Sequence, residues 1–208
     1  MTRKLPKYLT DNQLKQLLAY VRERASATPR SPNQRYYAET RRVVIELLLF
    51  SGLRCSELCA LNVGDLGDDH VLTVRHGKGD KERYIGLADP VAELVESYTT
   101  NWFIGAGPDE PMLRSLRTRR RLLRSDVWRI VSQTCRRAGL PHVWPHRIRH
   151  SAATHMLSIT GDIAQVSEFL GHASIDTTKI YAKITHRTKL ETARACYIDD
   201  TRNEGDQP

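Results

Sequence analysis

Cysteine and aromatic residues are scarce in this sequence. Its 208 residues include four cysteines, at positions 55, 59, 135 and 196, and no two of them form a Cys-x-x-Cys pair. This usage favours a reducing cytoplasm over a disulfide framework. Cys55 and Cys59 stand four apart on a predicted helix, which raises the question of a metal site. No second cysteine pair stands in register with them, so the sequence disfavours one.

Long apolar stretches are also missing. No run of about 18 apolar residues exists, so the sequence predicts no membrane-spanning helix. The first seven residues, Met-Thr-Arg-Lys-Leu-Pro-Lys, carry no apolar core of a signal peptide. What the chain has in excess is positive charge, with a formal net charge of +8 and a pI near 9.5. That balance favours a polyanionic partner, nucleic acid ahead of a membrane surface, although many soluble proteins are basic.

The pattern of apolar residues predicts an α+β domain that is mainly helical, with a small antiparallel sheet of three strands. Thr10 caps a first helix, residues 35–50 form a second that stops at Gly52, and residues 56–61 form a short third. Alternation over residues 71–76 and 82–87 predicts a hairpin, and a third short strand is expected near Asp65 and Leu66. Further helices are predicted at 90–102 and from Ser125 to Ala138. We expect a lead-in at 1–8, one domain at 9–198 with a terminal helix at about 186–196, and a disordered tail at 199–208.

The stretch from residue 145 to 181 organises the rest of the chain. Pro145 suits a first helical turn, and Gly161 suits a left-handed C-cap. His146, Arg149 and His150 recur at i, i+3 and i+4, which places them on one helical face. A second helix is predicted at 163–170 and a third, carrying Tyr181, at about 174–183. Arginine matches phosphate oxygens, histidine moves protons and tyrosine is a possible nucleophile, so the set suits in-line attack on a phosphodiester.

These residues resemble the C-terminal signature of the tyrosine recombinases, or phage integrases. The signature consists of His-x-x-Arg at 146–149, Leu-Gly-His at 170–172 and Tyr181 nine residues later. Upstream, Ser-Gly-Leu-Arg-Cys-Ser-Glu-Leu at 51–58 resembles the family's first arginine box. His-Gly-Lys-Gly-Asp-Lys-Glu-Arg at 76–83 resembles its lysine-bearing hairpin. The resemblance covers about residues 9–195, with every motif in the family's order. It implies the DNA breaking-rejoining catalytic fold.

The resemblance also implies a mechanism. Tyr181 would attack a DNA phosphate, His146 would accept its proton, and Arg54 and Arg149 would hold the non-bridging oxygens. The product would be a 3′-phosphotyrosyl bond that a 5′-hydroxyl can reverse, so neither ATP nor a metal ion nor any other cofactor is required.

Supporting roles follow from the same resemblance. His172 would donate a further hydrogen bond to the phosphate, and Lys78 would protonate the departing 5′-oxygen, with Lys81 as a rival for that role. Glu57 would orient an arginine or histidine, and His150 would support the site by packing or hydrogen bonding.

Two clusters have alternative interpretations. His142, His146 and His150 are spaced by four, as in a zinc-binding helix face, but Pro145 disfavours a continuous helix through the first two. The second cluster is basic, and its interpretation is either DNA-backbone contact or a solvated positive loop. It consists of Arg114, Arg117, Arg119, Arg120, Arg121 and Arg124.

Most tyrosine recombinases carry an N-terminal helical domain that clamps DNA, and the resemblance here, which starts near Leu9, leaves no room for one. We therefore expect a minimal catalytic-domain recombinase, a fragment of a longer chain, or a clamp that a partner supplies. Double-stranded DNA is the expected partner, bound by a homotetramer on two duplexes with each C-terminal helix docking in trans. The leading interpretation is site-specific recombination, by integration, excision or inversion. Topoisomerase-like relaxation of DNA and a DNA-binding regulator that keeps the fold are the alternatives.

Overall fold

The computed structural model describes residues 8–75, 82–170, 193–194 and 196–197. Seven α-helices and two β-strands lie in these ranges, together with a 3₁₀ turn at Val63–Asp65. In chain order they are α1 (Asp11–Ser26), α2 (Pro32–Phe50), α3 (Cys55–Ala60), β1 (Val71–Val74), β2 (Arg83–Gly86), α4 (Asp89–Trp102), α5 (Arg124–Arg137), α6 (Pro145–Thr160) and α7 (Ile163–Leu170). The predicted helix at 174–183 lies outside the described residues, as does most of the predicted C-terminal helix.

Helix α2 is the centre of the fold. It packs against α1, α4, α5 and α6, and every residue from Val43 to Phe50 is buried. Its start precedes the predicted residue 35, because the Ser31 hydroxyl caps the helix by accepting from the Gln34 N–H and Pro32 occupies the first turn. Helix α1 begins as predicted, with Thr10 and Gln13 in a capping box.

The sheet is smaller than predicted. Strands β1 and β2 pair antiparallel, with Val71 opposite Gly86 and Val74 opposite Arg83. The expected third strand is reduced to a single bridge between Leu66 and Leu72. The chain turns directly after Leu66, where the Gly67 N–H donates to the Val71 carbonyl over 3.0 Å, so no second pair can form there.

Helices α6 and α7 lie where the sequence predicts them. Pro145 lies in the first turn of α6, and Gly161 caps its end with a φ of +63°. That left-handed conformation is unfavourable for residues that carry a Cβ atom. In the described part of the chain, no helix combines the length and apolar character that crossing a membrane requires.

Candidate active site

The junction between α2 and α3 positions the first candidate residue. Gly52 has a φ of +58°, and a Cβ atom built on it would lie 2.5 Å from the Leu170 side chain. Only glycine therefore lets this junction pack against α7. The chain then reaches Arg54, which is the N-cap residue of α3. The sequence predicts that Arg54 lies at a junction between two helices, and in the structure it lies between α2 and α3.

A buried carboxylate fixes Arg54. Glu57 is 3% exposed, and its Oε2 accepts from the Arg54 backbone N–H over 2.7 Å. Its Oε1 accepts from Nη1 of the Arg54 guanidinium, also over 2.7 Å. Because one side chain holds both the backbone and the guanidinium of Arg54, the direction of that side chain is set from within α3.

Glu57 also binds a second arginine, Arg83, for which the sequence predicted no role. Arg83 opens β2, and its Nη2 donates to Oε2 of Glu57 over 3.0 Å. Burial lowers the pKa of Arg83; the negative charge of Glu57 opposes that shift, and the positive charge of Arg54 adds to it. The signal was available in the sequence, since Arg83 lies two residues before buried Ile85 and so shares its inward face.

Arg149 completes the arginine cluster, by which we mean Arg54, Arg83 and Arg149. It is 5% exposed. Its Nη1 donates to the Gly52 carbonyl and its Nη2 to the Leu170 carbonyl, the latter over 2.7 Å. Burial lowers its pKa to about 10, and the charge of Arg54 adds to that shift. At neutral pH the guanidinium therefore remains charged.

The charges of Glu57 and of the arginine cluster shift the pKa values of Arg83 and Arg149. Glu57 opposes the lowering of the Arg149 pKa, whereas Arg54 and Arg83 both promote it. One carboxylate thus faces three guanidinium groups, which leaves an excess of positive charge in a partly buried site. Such an arrangement is suited to an anion that offers several oxygens.

The candidate histidines lie on the exposed side of α6. His146 is exposed and precedes Arg149 by three residues, one helical turn. His150 is also exposed, and its ring contacts the edge of Tyr8, with 5.9 Å between ring centroids. Lys78, Lys81, His172 and Tyr181 lie outside the described residues.

The predicted basic cluster separates into two groups. Arg121 is committed to the protein, since it donates to the carbonyls of Cys59 and Leu61 and to Oδ1 of Asn62 over 2.6–3.0 Å. Arg114 is likewise engaged, with Nε donating to the Pro111 carbonyl over 2.8 Å. The remaining members are exposed, and they are Arg117, Arg119, Arg120 and Arg124.

The cysteines and the spaced histidines are the residues in which the sequence raises the question of a metal site. The four cysteines are free thiols. Across the described ranges, no group of three or more His, Cys, Asp or Glu side chains is placed to hold a metal ion. His142 instead lies between the rings of Trp128 and Trp144, each 5.7 Å away by ring centroids.

The sequence profile of the phage integrase family matches residues 7–187. The chain belongs to the phage integrase family. It is 40% identical over 155 residues to the tyrosine recombinase XerC of Corynebacterium efficiens, which is 74% of this chain and 49% of that protein.

Solved structures agree with this membership of the phage integrase family. The crystal structure of XerA recombinase superposes with a TM-score of 0.68 at 25% identity, covering 95% of this chain and 62% of that one. XerH site-specific recombinase bound to difH substrate gives a TM-score of 0.65 at 25% identity, covering 93% of this chain and 50% of that one. The chain therefore spans about half to three-fifths of the length of these relatives.

Proposed function

We propose that this chain provides the catalytic domain, at residues 9–198, of a site-specific DNA recombinase of the tyrosine type. The arginine cluster carries the proposal. Two of its members, Arg54 and Arg149, occupy the matching positions of the family motifs, and one buried carboxylate and two backbone carbonyls hold them in place. Membership of the phage integrase family supports the same conclusion.

The proposed chemistry follows from the charges. Arg54 and Arg149 hold the non-bridging oxygens of the scissile phosphate and stabilise the charge that builds on them in the transition state. His146, exposed one turn before Arg149, accepts the proton of the attacking phenol. Glu57 acts through Arg54 and is a positioning residue. Glu57 also accepts a hydrogen bond from Arg83 and so positions that guanidinium as well.

Three proposed participants rest on the family motifs alone. Tyr181 is the proposed nucleophile, His172 a hydrogen-bond donor to the phosphate, and Lys78 the acid that protonates the leaving 5′-oxygen. The bond between phosphorus and the 5′-oxygen breaks as the bond between phosphorus and the tyrosine oxygen forms. The ester is conserved as a 3′-phosphotyrosyl bond, so the reverse attack by a 5′-hydroxyl needs no ATP.

Double-stranded DNA is the proposed substrate. XerH was solved with its difH substrate, and the exposed arginines of this chain offer sequence-independent contacts to phosphates. We assign that role to the exposed group Arg117, Arg119, Arg120 and Arg124. Arg114 and Arg121 contribute by holding the loop in place.

We further propose assembly of four copies on two duplexes. In the single chain, the Tyr197 ring lies 4.9 Å from that of Phe50, and its hydroxyl accepts from Nη2 of Arg22 over 2.6 Å. Ala193 and Cys196 are buried beside them. The same surface of α1 and α2 would receive the C-terminal segment of a neighbouring copy in the assembled complex.

The deciding experiment is a suicide substrate, nicked beside the cleavage site so that the released 5′ fragment escapes. Sequences flanking the gene would be tried as a pool. A denaturing gel reports any covalent protein–DNA adduct, and Tyr181→Phe is run alongside, since it removes only the phenolic oxygen. We expect an adduct with the unaltered protein and none with Tyr181→Phe.

Other outcomes would change the conclusion. Salt-sensitive DNA binding without an adduct, on every sequence of the pool, would favour the regulator. An adduct accompanied by relaxation of supercoiled DNA, with no exchange between two duplexes, would favour the topoisomerase-like activity. An adduct that persists in Tyr181→Phe would refute the assignment of the nucleophile.

A further inference from the structure

A second concentration of arginine lies away from the candidate active site. A cavity of about 180 Å³ opens between the C-terminal half of α1, the N-terminal half of α2 and the C-terminal end of α5. Its lining includes Arg24, Arg35, Arg41 and Arg137, and none of its lining residues is an aspartate or glutamate. We call this the arginine cavity.

Three of its four guanidinium groups have no carboxylate partner in the described part of the chain. Arg35 is paired with Glu39 over 2.7 Å, but no ion pair reaches Arg24, Arg41 or Arg137 there. Burial lowers the pKa of Arg41, and the positive charges of Arg137 and Arg24 lower it further. The like charges therefore act on one another across the cavity.

The same two helices do pair their other arginines. Glu46 of α2 is fully buried and accepts from Arg22 of α1 over 3.2 Å and from Arg42 of α2 over 2.8 Å. Glu46 thus pairs arginines on one side of the α1–α2 contact, whereas on the side of the arginine cavity only Arg35 has a carboxylate partner, Glu39, among the described residues. Arg24, Arg35 and Arg137 are exposed and Arg41 is half-buried, so an anion from solution can reach all four guanidinium groups.

The arginine cavity is separate from the arginine cluster. Helix α5 begins at Arg124, whose carbonyl lies 3.9 Å from the Cys55 sulfur beside Arg54. At a rise of about 1.5 Å per residue, Arg137 lies about 20 Å further along that helix. By the same measure Arg41 lies about 16 Å along α2 from Gly52. An anion in the cavity would not be the phosphate held at the candidate active site.

We propose that the arginine cavity binds a small phosphate compound carrying at least two negative charges. The guanidinium fork matches the spacing of phosphate oxygens and forms charge-assisted hydrogen bonds with them. The cavity volume is several times the ~30 Å³ share of a water molecule, which leaves room for phosphate groups. A bound anion also relieves the repulsion among Arg24, Arg41 and Arg137. The proposal does not depend on the recombinase chemistry.

The test uses inorganic pyrophosphate and the full chain. Pyrophosphate should also bind the arginine cluster, so the measurement is made in an Arg54→Gln background, which weakens that site. Isothermal titration of Arg54→Gln should still show binding. Adding Arg41→Gln and Arg137→Gln should raise the dissociation constant at least about tenfold, since each lost charge-assisted contact is worth about a factor of ten.

A matched control removes the same charge elsewhere. Arg30→Gln with Arg136→Gln, in the Arg54→Gln background, alters two arginines that do not line the cavity, and binding should be retained. The cavity variant should fold, because it removes repulsion and breaks no ion pair within the described residues; an unchanged or higher melting temperature checks this.

Several results would overturn the proposal. Absence of pyrophosphate binding in Arg54→Gln would do so, as would equal affinities for the cavity variant and its control. A second measurement compares the affinities of the cavity variant and its control for duplex DNA, both without the Arg54 substitution. If the cavity variant loses affinity for duplex DNA beyond its control while pyrophosphate affinity is unchanged, the cavity contacts the DNA backbone and no small anion. Failure of the adduct assay would leave this test unaffected.

Discussion

Glu57→Gln is the substitution with the sharpest predicted effect. The carboxylate of Glu57 is buried and accepts from the Arg54 backbone, the Arg54 guanidinium and Arg83. The amide keeps the shape but loses the charge, and it turns an NH₂ group toward one of these donors. Two guanidinium groups then face each other without a carboxylate between them.

The magnitude can be worked from burial. Removing one partner of a buried ion pair costs about 3–5 kcal/mol. The Arg54 side chain is 28% exposed, so water offsets part of its loss and the lower end, about 3 kcal/mol, is expected. For a chain of this size that corresponds to about 6–12 °C in melting temperature. Total stabilities of about 5–15 kcal/mol leave the variant folded at 25 °C.

Activity should fall more than stability alone explains. A reacting group displaced by about 1 Å can cost about a hundredfold in rate. We expect single-turnover adduct formation to slow by about that factor under saturating protein, while DNA affinity stays close to that of the unaltered chain. That split between rate and affinity distinguishes a positioning residue from a merely structural one.

The control is Glu93→Gln, an exposed glutamate on α4 that should change the melting temperature little. A Glu57→Gln protein within about 0.5 kcal/mol of the unaltered one, the range of ordinary surface substitutions, would refute the reasoning. So would an adduct rate equal to that of Glu93→Gln.

Four single substitutions and one truncation give the further predictions. Arg121→Gln should lower the unfolding free energy by about 2–3 kcal/mol in urea titrations, because three carbonyl oxygens lose a charged donor. Arg117→Gln should leave stability within about 0.5 kcal/mol and reduce the salt slope of DNA binding by about one; equal effects of the two variants would contradict the division of the basic cluster. Gly161→Ala should cost about 1–2 kcal/mol by calorimetry, since alanine resists the left-handed conformation. Tyr197→Phe should cost about 1 kcal/mol by removing the acceptor of Arg22, and truncation after residue 185 should weaken assembly on DNA by sedimentation.

The parts of the fold that the sequence predicted well have local causes. Proline in the first turn and a glycine C-cap, Gly161, set both ends of α6 (Pro145–Thr160) without reference to the rest of the chain. A third strand was expected because a two-stranded ribbon is weak alone. The structure has pairing at the expected place, but the turn at Gly67 limits it to the single Leu66–Leu72 bridge.

The arginines show where sequence patterns stop being informative. Arg121 and Arg117 occur in one basic run, yet the first bonds to carbonyls some 60 residues away and the second is exposed. Which hydrogen bonds a guanidinium forms depends on the backbone acceptors that the tertiary fold brings near it. For Arg83 the sequence gives half of the answer: alternation places it on the inward face of β2, but its partner Glu57 lies 26 residues earlier on another element.

The ratio of charges in the arginine cluster has a physical reason. With no carboxylate, the three guanidinium groups would repel one another in a partly buried site; burial lowers the pKa of Arg149, and the charges of Arg54 and Arg83 lower it further even with Glu57 present. With a second carboxylate the cluster would approach neutrality and lose its attraction for a phosphate. A single glutamate on α3 orients two arginines, and the third, Arg149, donates to the carbonyls of Gly52 and Leu170. The proposed binding of the scissile phosphate depends on this excess of positive charge, which an anionic substrate would neutralise.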